Sequence, residues 1–195
     1  MENEKLRNYI LTALFAAVMS ILSQFTFPIG AVPVTLQSFV CALSGTVMGR
    51  RWGAAGIGLW LLLGALGVPV LTQGKAGLGI LLSPVGGYYI GFILMAWICG
   101  VPGERNRVFW TQYLICGAGL VACYALGTVY FMGYFQFALG KSMSLLTALT
   151  MTAFPFIPFD LIKIFFGASA GMKLRHVLSA AGYEFGGQSR THGRA

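Results

Sequence analysis

Asp160 and Lys163 are the only ionisable residues in the apolar run from Leu145 to Gly171. A charge at the centre of a membrane-crossing helix costs about 2.5–3.5 kcal/mol, so two of them point to a task. Three residues apart on a helix, they share a face, with Cβ atoms about 5–6 Å apart. They neutralise each other and still offer one acceptor group and one donor group to a polar ligand. Pro155 and Pro158 come just before the pair. Each lacks a backbone donor, and Pro158 is expected to leave a carbonyl free near Phe154. Irregular backbone at membrane depth persists only where it is buried in protein or lines a cavity. Together these features predict a polar binding pocket. The alternative left open is an internal ion pair that only fixes helix packing.

Other residues are candidates for the same pocket. Gly86 and Gly87, followed by Tyr88, sit at an expected helix start, where free N–H groups suit anions or carbonyls. Ordinary packing by small residues is the competing explanation. Thr35 and Gln37 are placed to cap a helix or to contact a ligand, and Gln73 in a glycine-rich connection is equally open. Ala13 and Ala17 form a small face that admits a close helix partner.

No Ser/His/Asp set, paired carboxylates or Walker-type phosphate loop is found, so no catalytic residue is assigned. Cys41, Cys99, Cys116 and Cys123 lack metal-ligand spacing and read as small buried hydrophobes. No metal or cofactor is expected.

The elements that must position these residues follow from composition. Only 9% of the chain is charged and 57% is hydrophobic, against about 25% charged in soluble domains. The stretches 8–49, 52–74, 76–103, 108–140 and 142–159 contain no Asp, Glu, Lys or Arg. About 20 residues suffice for a helical span, and strand-like alternation is absent, which argues against a β-barrel. The expected fold is an all-α integral membrane protein with six transmembrane helices. The spans fall at about 8–27, 35–49, 52–67, 85–101, 110–133 and 145–171, within one domain covering residues 1–178. Residues 179–195 are expected to be a cytoplasmic tail without fixed structure.

The net charge of +8 does not indicate nucleic acid, because the basic residues sit at the ends of apolar runs. With both termini cytoplasmic, ten of the thirteen Lys and Arg residues lie inside, Lys75 and Lys141 lie outside, and Lys163 is in the membrane. That asymmetry matches the positive-inside rule.

Three stretches carry a family resemblance: Pro33-Val-Thr-Leu-Gln37, Ser83-Pro-Val-Gly-Gly-Tyr88 with Ile90-Gly-Phe92, and Phe156-Ile-Pro-Phe-Asp160-Leu-Ile-Lys163. Leu62 to Pro69 also fits. Over nearly all of residues 8–175 the chain resembles the BioY family, the biotin-binding S subunits of energy-coupling-factor (ECF) vitamin transporters. The resemblance implies a six-helix subunit in a prokaryotic plasma membrane. It implies partnership with a transmembrane coupling subunit and two ABC-type ATPases, which some members dispense with. It places biotin against Asp160 and Lys163, covered by Tyr88, with Gln73 or Ser83 as candidates for the family's amide-bearing contact. Ala13 and Ala17 become the docking face. Val85 stands where the family commonly has Thr, and Phe159 where Gly is usual. A related subunit for thiamin or riboflavin, or a membrane enzyme using Asp160 as acid or base, are the alternatives.

Overall fold

A computed structural model describes residues 2–27, 34–101 and 108–183. The connections at 28–33 and 102–107, between expected spans, and most of the expected tail fall outside them. Seven α-helices are present among the described residues: α1 (Glu2–Leu22), α2 (Gln37–Ala65), α3 (Leu78–Leu81), α4 (Gly86–Cys99), α5 (Phe109–Leu139), α6 (Leu145–Thr152) and α7 (Ile157–Ala180). A two-stranded antiparallel ribbon, β1 (Thr26–Phe27) with β2 (Val34–Thr35), joins α1 to α2. The chain is otherwise helical, as expected, and this ribbon is a local addition to the all-α fold. Two-residue strands are too short to leave an alternating pattern in a sequence.

Helix ends explain where the boundaries moved. α1 stops at Leu22 rather than near Phe27 because Ser23 and Gln24 turn toward the next connection. The Ser23 hydroxyl donates to the Val70 carbonyl (2.7 Å), and Gln24 Nε2 donates to the carbonyls of Val70 (3.3 Å) and Leu71 (3.2 Å). α5 runs on to Leu139 and is closed by Gly140 in the left-handed region (φ 63°), which glycine adopts at little cost. α6 is capped by Ser144, whose Oγ accepts from the Thr147 N–H (3.2 Å).

The two spans expected at 35–49 and 52–67 form one element broken at Gly49 (φ 77°, ψ 178°). That backbone conformation is nearly exclusive to glycine. The break leaves carbonyls at the end of the first half without helical partners. Arg175 of α7 supplies them, with Nη1 donating to the oxygens of Val47 (3.0 Å) and Thr46 (3.4 Å).

α2 is the central element and packs against α1, α4 and α7; α4 in turn packs against α5. Met19, Val40, Ile57, Trp60, Met95 and Ile164 are fully buried between these helices. Leu14, Ile21, Leu62, Leu114, Val121 and Phe166 point outward, an exposed apolar coat suited to lipid.

Among the described residues, two helices are long and apolar enough to cross a bilayer, Glu4–Leu22 and Phe109–Ala138, and the α6–α7 pair, bent by 55°, makes a third if taken as one broken span. α4 has only 14 residues, about 21 Å at 1.5 Å per residue. That is short of the roughly 30 Å hydrocarbon layer.

Candidate functional site

The chemistry gathers where α7 begins. Pro158 lies in the first turn of α7. A helix's first N–H groups have no intrahelical acceptors in any case, so proline is cheap there. The last apolar run is thus broken near the two prolines, as expected, and Pro158 stands where its second half begins. Asp160 falls in the same first turn, where the helix dipole favours a negative charge.

Asp160 is 8% exposed and receives three side-chain donors from three helices. Lys163 Nζ of α7 lies 2.8 Å from Oδ1. Ser38 Oγ of α2 donates to the same oxygen at 2.7 Å. The Tyr124 hydroxyl of α5 donates to Oδ2. Each donation to a carboxylate is charge-assisted, and the set fixes the plane of the Asp160 carboxylate.

Asp160 and Lys163 form part of the wall of a cavity of about 180 Å³. One water needs about 10–15 Å³ on this measure, so the space suits a small organic molecule. Its wall comes from β2, the first turn of α2, the first two turns of α4 and α7, the connection at Thr72 and Lys75, the middle of α5 and the end of α6. Val34, Val85, Phe92, Leu120 and Phe156 give it an apolar lining. The Tyr88 ring also faces it, and the Tyr88 hydroxyl is hydrogen-bonded with Thr128 Oγ1 (3.2 Å). A second polar group on the wall is a relay: Thr35 Oγ1 donates to Gln37 Oε1 (2.7 Å), and Gln37 Nε2 donates to Thr72 Oγ1 (3.2 Å). Lys75 lines the cavity too and is otherwise exposed.

Of the residues singled out by sequence, Asp160, Lys163, Tyr88, Thr35 and Gln37 meet at this cavity. Gly86, Gly87, Gln73 and Ser83 do not line it. A Cβ on Gly87 would come 2.3 Å from Tyr130 Cβ, and one on Gly86 would come 1.9 Å from the Leu81 oxygen; both glycines make room for neighbouring helices. Gln73 is exposed in a turn with φ 61°. The Ser83 hydroxyl is taken up by the Ile80 carbonyl (2.6 Å). Ala13 and Ala17 are exposed on α1.

Sequence reasoning missed Ser38, Thr72, Tyr89, Cys123, Tyr124 and Thr152, all on the cavity wall. Tyr124 carried a usable signal, since a phenol inside a charge-free span needs a partner for its O–H. Cys123 is buried but borders the cavity rather than serving only as core. Among the described residues no cluster of potential metal ligands occurs.

Comparison with known proteins bears on this site. The BioY family model matches residues 1–180. A biotin transporter BioY of Thermotoga maritima is 36% identical over 171 residues, covering 87% of this chain and 96% of that protein. One from Rhodobacter capsulatus is 37% identical over 166 residues, covering 81% and 87%. A crystal structure of the S-component for biotin from an ECF-type ABC transporter superimposes with a TM-score of 0.78 at 27% identity, covering 90% of this chain and 94% of that one.

Proposed function

Because the chain belongs to the BioY family, we propose that it is the biotin-binding subunit of an ECF-type uptake system. The observation that carries the reading is the Asp160–Lys163 pair on the wall of a small-molecule cavity. Biotin carries a cyclic urea with one carbonyl acceptor and two N–H donors, joined to an apolar ring and chain. Lys163 uses one of three ammonium N–H bonds on Asp160 and keeps others for the ureido oxygen. Asp160 accepts from a ureido N–H. Phe92, Phe156 and the Tyr88 ring cover the apolar body. A ligand without the ureido group would leave a buried pair unsatisfied, at a cost of about 1–3 kcal/mol or more per group.

The membrane arrangement follows from charge. Six crossings, with the two halves of α2 counted separately and the bent α6–α7 pair counted once, put both termini in the cytoplasm. The cavity then faces outward, together with Lys75. Support comes from the ten-to-two distribution of basic residues. The exposed Ala13/Ala17 face of α1 is the proposed seat for a transmembrane coupling subunit. That subunit and two ABC-type ATPases supply the energy; this chain performs capture and delivery, without enzymatic chemistry.

The reading is tested by extracting ligand from protein purified out of biotin-fed cells and identifying it by mass spectrometry. Stoichiometric biotin is expected. A flavin or thiamin in its place, or an empty protein that does not take up added biotin, would overturn the assignment.

A further inference from the structure

The bonding state of Asp160 limits how much of a urea it can read. An ionised carboxylate offers about four lone-pair positions, two on each oxygen. On Oδ1 both are taken, by Ser38 Oγ at 2.7 Å and Lys163 Nζ at 2.8 Å. On Oδ2 the Tyr124 hydroxyl takes one. Among the described residues one acceptor position remains, on Oδ2, and Lys163, held on Oδ1 of the same carboxylate, has N–H bonds to spare. The two N–H bonds of a cyclic urea diverge on either side of its carbonyl. With one acceptor position left on the carboxylate, the pair can accept from only one of these N–H groups, the one whose neighbouring carbonyl oxygen Lys163 reaches.

Resting on the biotin reading above, we propose that the Asp160–Lys163 pair reads a single N–H/C=O edge, so that cyclic lactams are ligands as well as cyclic ureas. Ser38 and Tyr124 are the positioning residues that impose this limit. They touch Asp160, and their donors fill the positions a second N–H would need. The second ureido nitrogen of biotin lies outside the pair's reach and can be replaced by carbon.

The test uses biotin and its two ring-carba analogues, in which one or the other ureido N–H is replaced by CH₂ with ring size and side chain kept. Each is titrated into the purified, detergent-solubilised full chain. One analogue is expected to bind within about 3-fold of biotin. Its regioisomer is expected to bind about 10–150-fold more weakly, the loss that follows from removing a hydrogen bond to a charged group. Equal and severe losses for both would mean that both N–H groups are read, and would overturn the inference. Equal and full retention would overturn it as well, because neither N–H would then be read. Failure of biotin itself to bind would sink the proposed function beneath it, an outcome distinct from the other two.

Discussion

The two ends of the helix bundle both bury polar side chains, and they use them in opposite ways. At the end where α2 breaks and α4 stops, the donors go mainly to backbone. Gln112 Nε2 bonds the Cys99 carbonyl (2.8 Å) and Thr46 Oγ1 (2.9 Å), and Arg175 bonds the Val47 and Thr46 carbonyls. These side chains satisfy peptide groups orphaned by helix ends, and Gln112 is only 1% exposed. At the cavity end the polar side chains bond one another. Asp160 gathers Ser38, Tyr124 and Lys163, and the group keeps spare donors facing open space. Burial alone therefore does not mark a site in a membrane bundle. What marks it is hydrogen-bonding capacity left over on the wall of a cavity.

That contrast can be broken most forcefully at Asp160. Asp160→Asn strips the negative charge from a buried pair and leaves Lys163 unpartnered, a change worth about 3–5 kcal/mol in other buried pairs. Biotin affinity measured by isothermal calorimetry should fall by at least about 100-fold; retained tight binding would make the pair mere packing. Tyr124→Phe keeps the ring and removes one donor to Oδ2. With a second acceptor position open on Oδ2, the ring-carba analogue tolerated by the wild type should bind at least about 10-fold more weakly than biotin, a hydrogen bond to a charged group now being at stake; unchanged tolerance would count against the limit set by Tyr124.

The far end should respond in the reverse sense. Gln112→Leu leaves the Cys99 carbonyl and Thr46 hydroxyl short of a donor, and should lower stability by about 1–3 kcal/mol. Biotin affinity, read on the folded fraction, should stay within about 3-fold. Gly49→Ala forces a Cβ into φ 77°, ψ 178° and should cost a similar 1–3 kcal/mol, again visible in melting rather than in binding. The smallest effect is expected from Gln73→Ala and Ser83→Ala. Both side chains lie off the cavity wall, and surface changes of this kind usually stay within about 0.5 kcal/mol. A drop in biotin affinity of more than about 10-fold in either variant would restore the amide-bearing role considered for them and redraw the cavity.

Much of this was legible in the sequence, for identifiable reasons. The Asp160–Lys163 pair stands out because charge is costly in an apolar run, and the helices stand out because charge-free stretches of their length have few alternatives. Other features depend on folding and were hidden. Ser38 and Tyr124 are separated from Asp160 by 122 and 36 residues, and only packing of α2 and α5 on α7 brings them together. Pro158 could break a helix or begin one; its sequence neighbourhood does not say which. The glycines of the 86–87 run are needed by Leu81 and Tyr130, contacts no local pattern announces. Gln112 went unremarked because a lone amide has no motif.

The most direct measurement is an equilibrium titration of the purified protein with labelled biotin, beside the Lys163→Ala variant. The wild-type chain should bind saturably at one site, and the variant should lose at least about 100-fold in affinity, since Asp160 would be left buried without its cation. Equal affinity in the two proteins would contradict the claim that this pair reads the ligand.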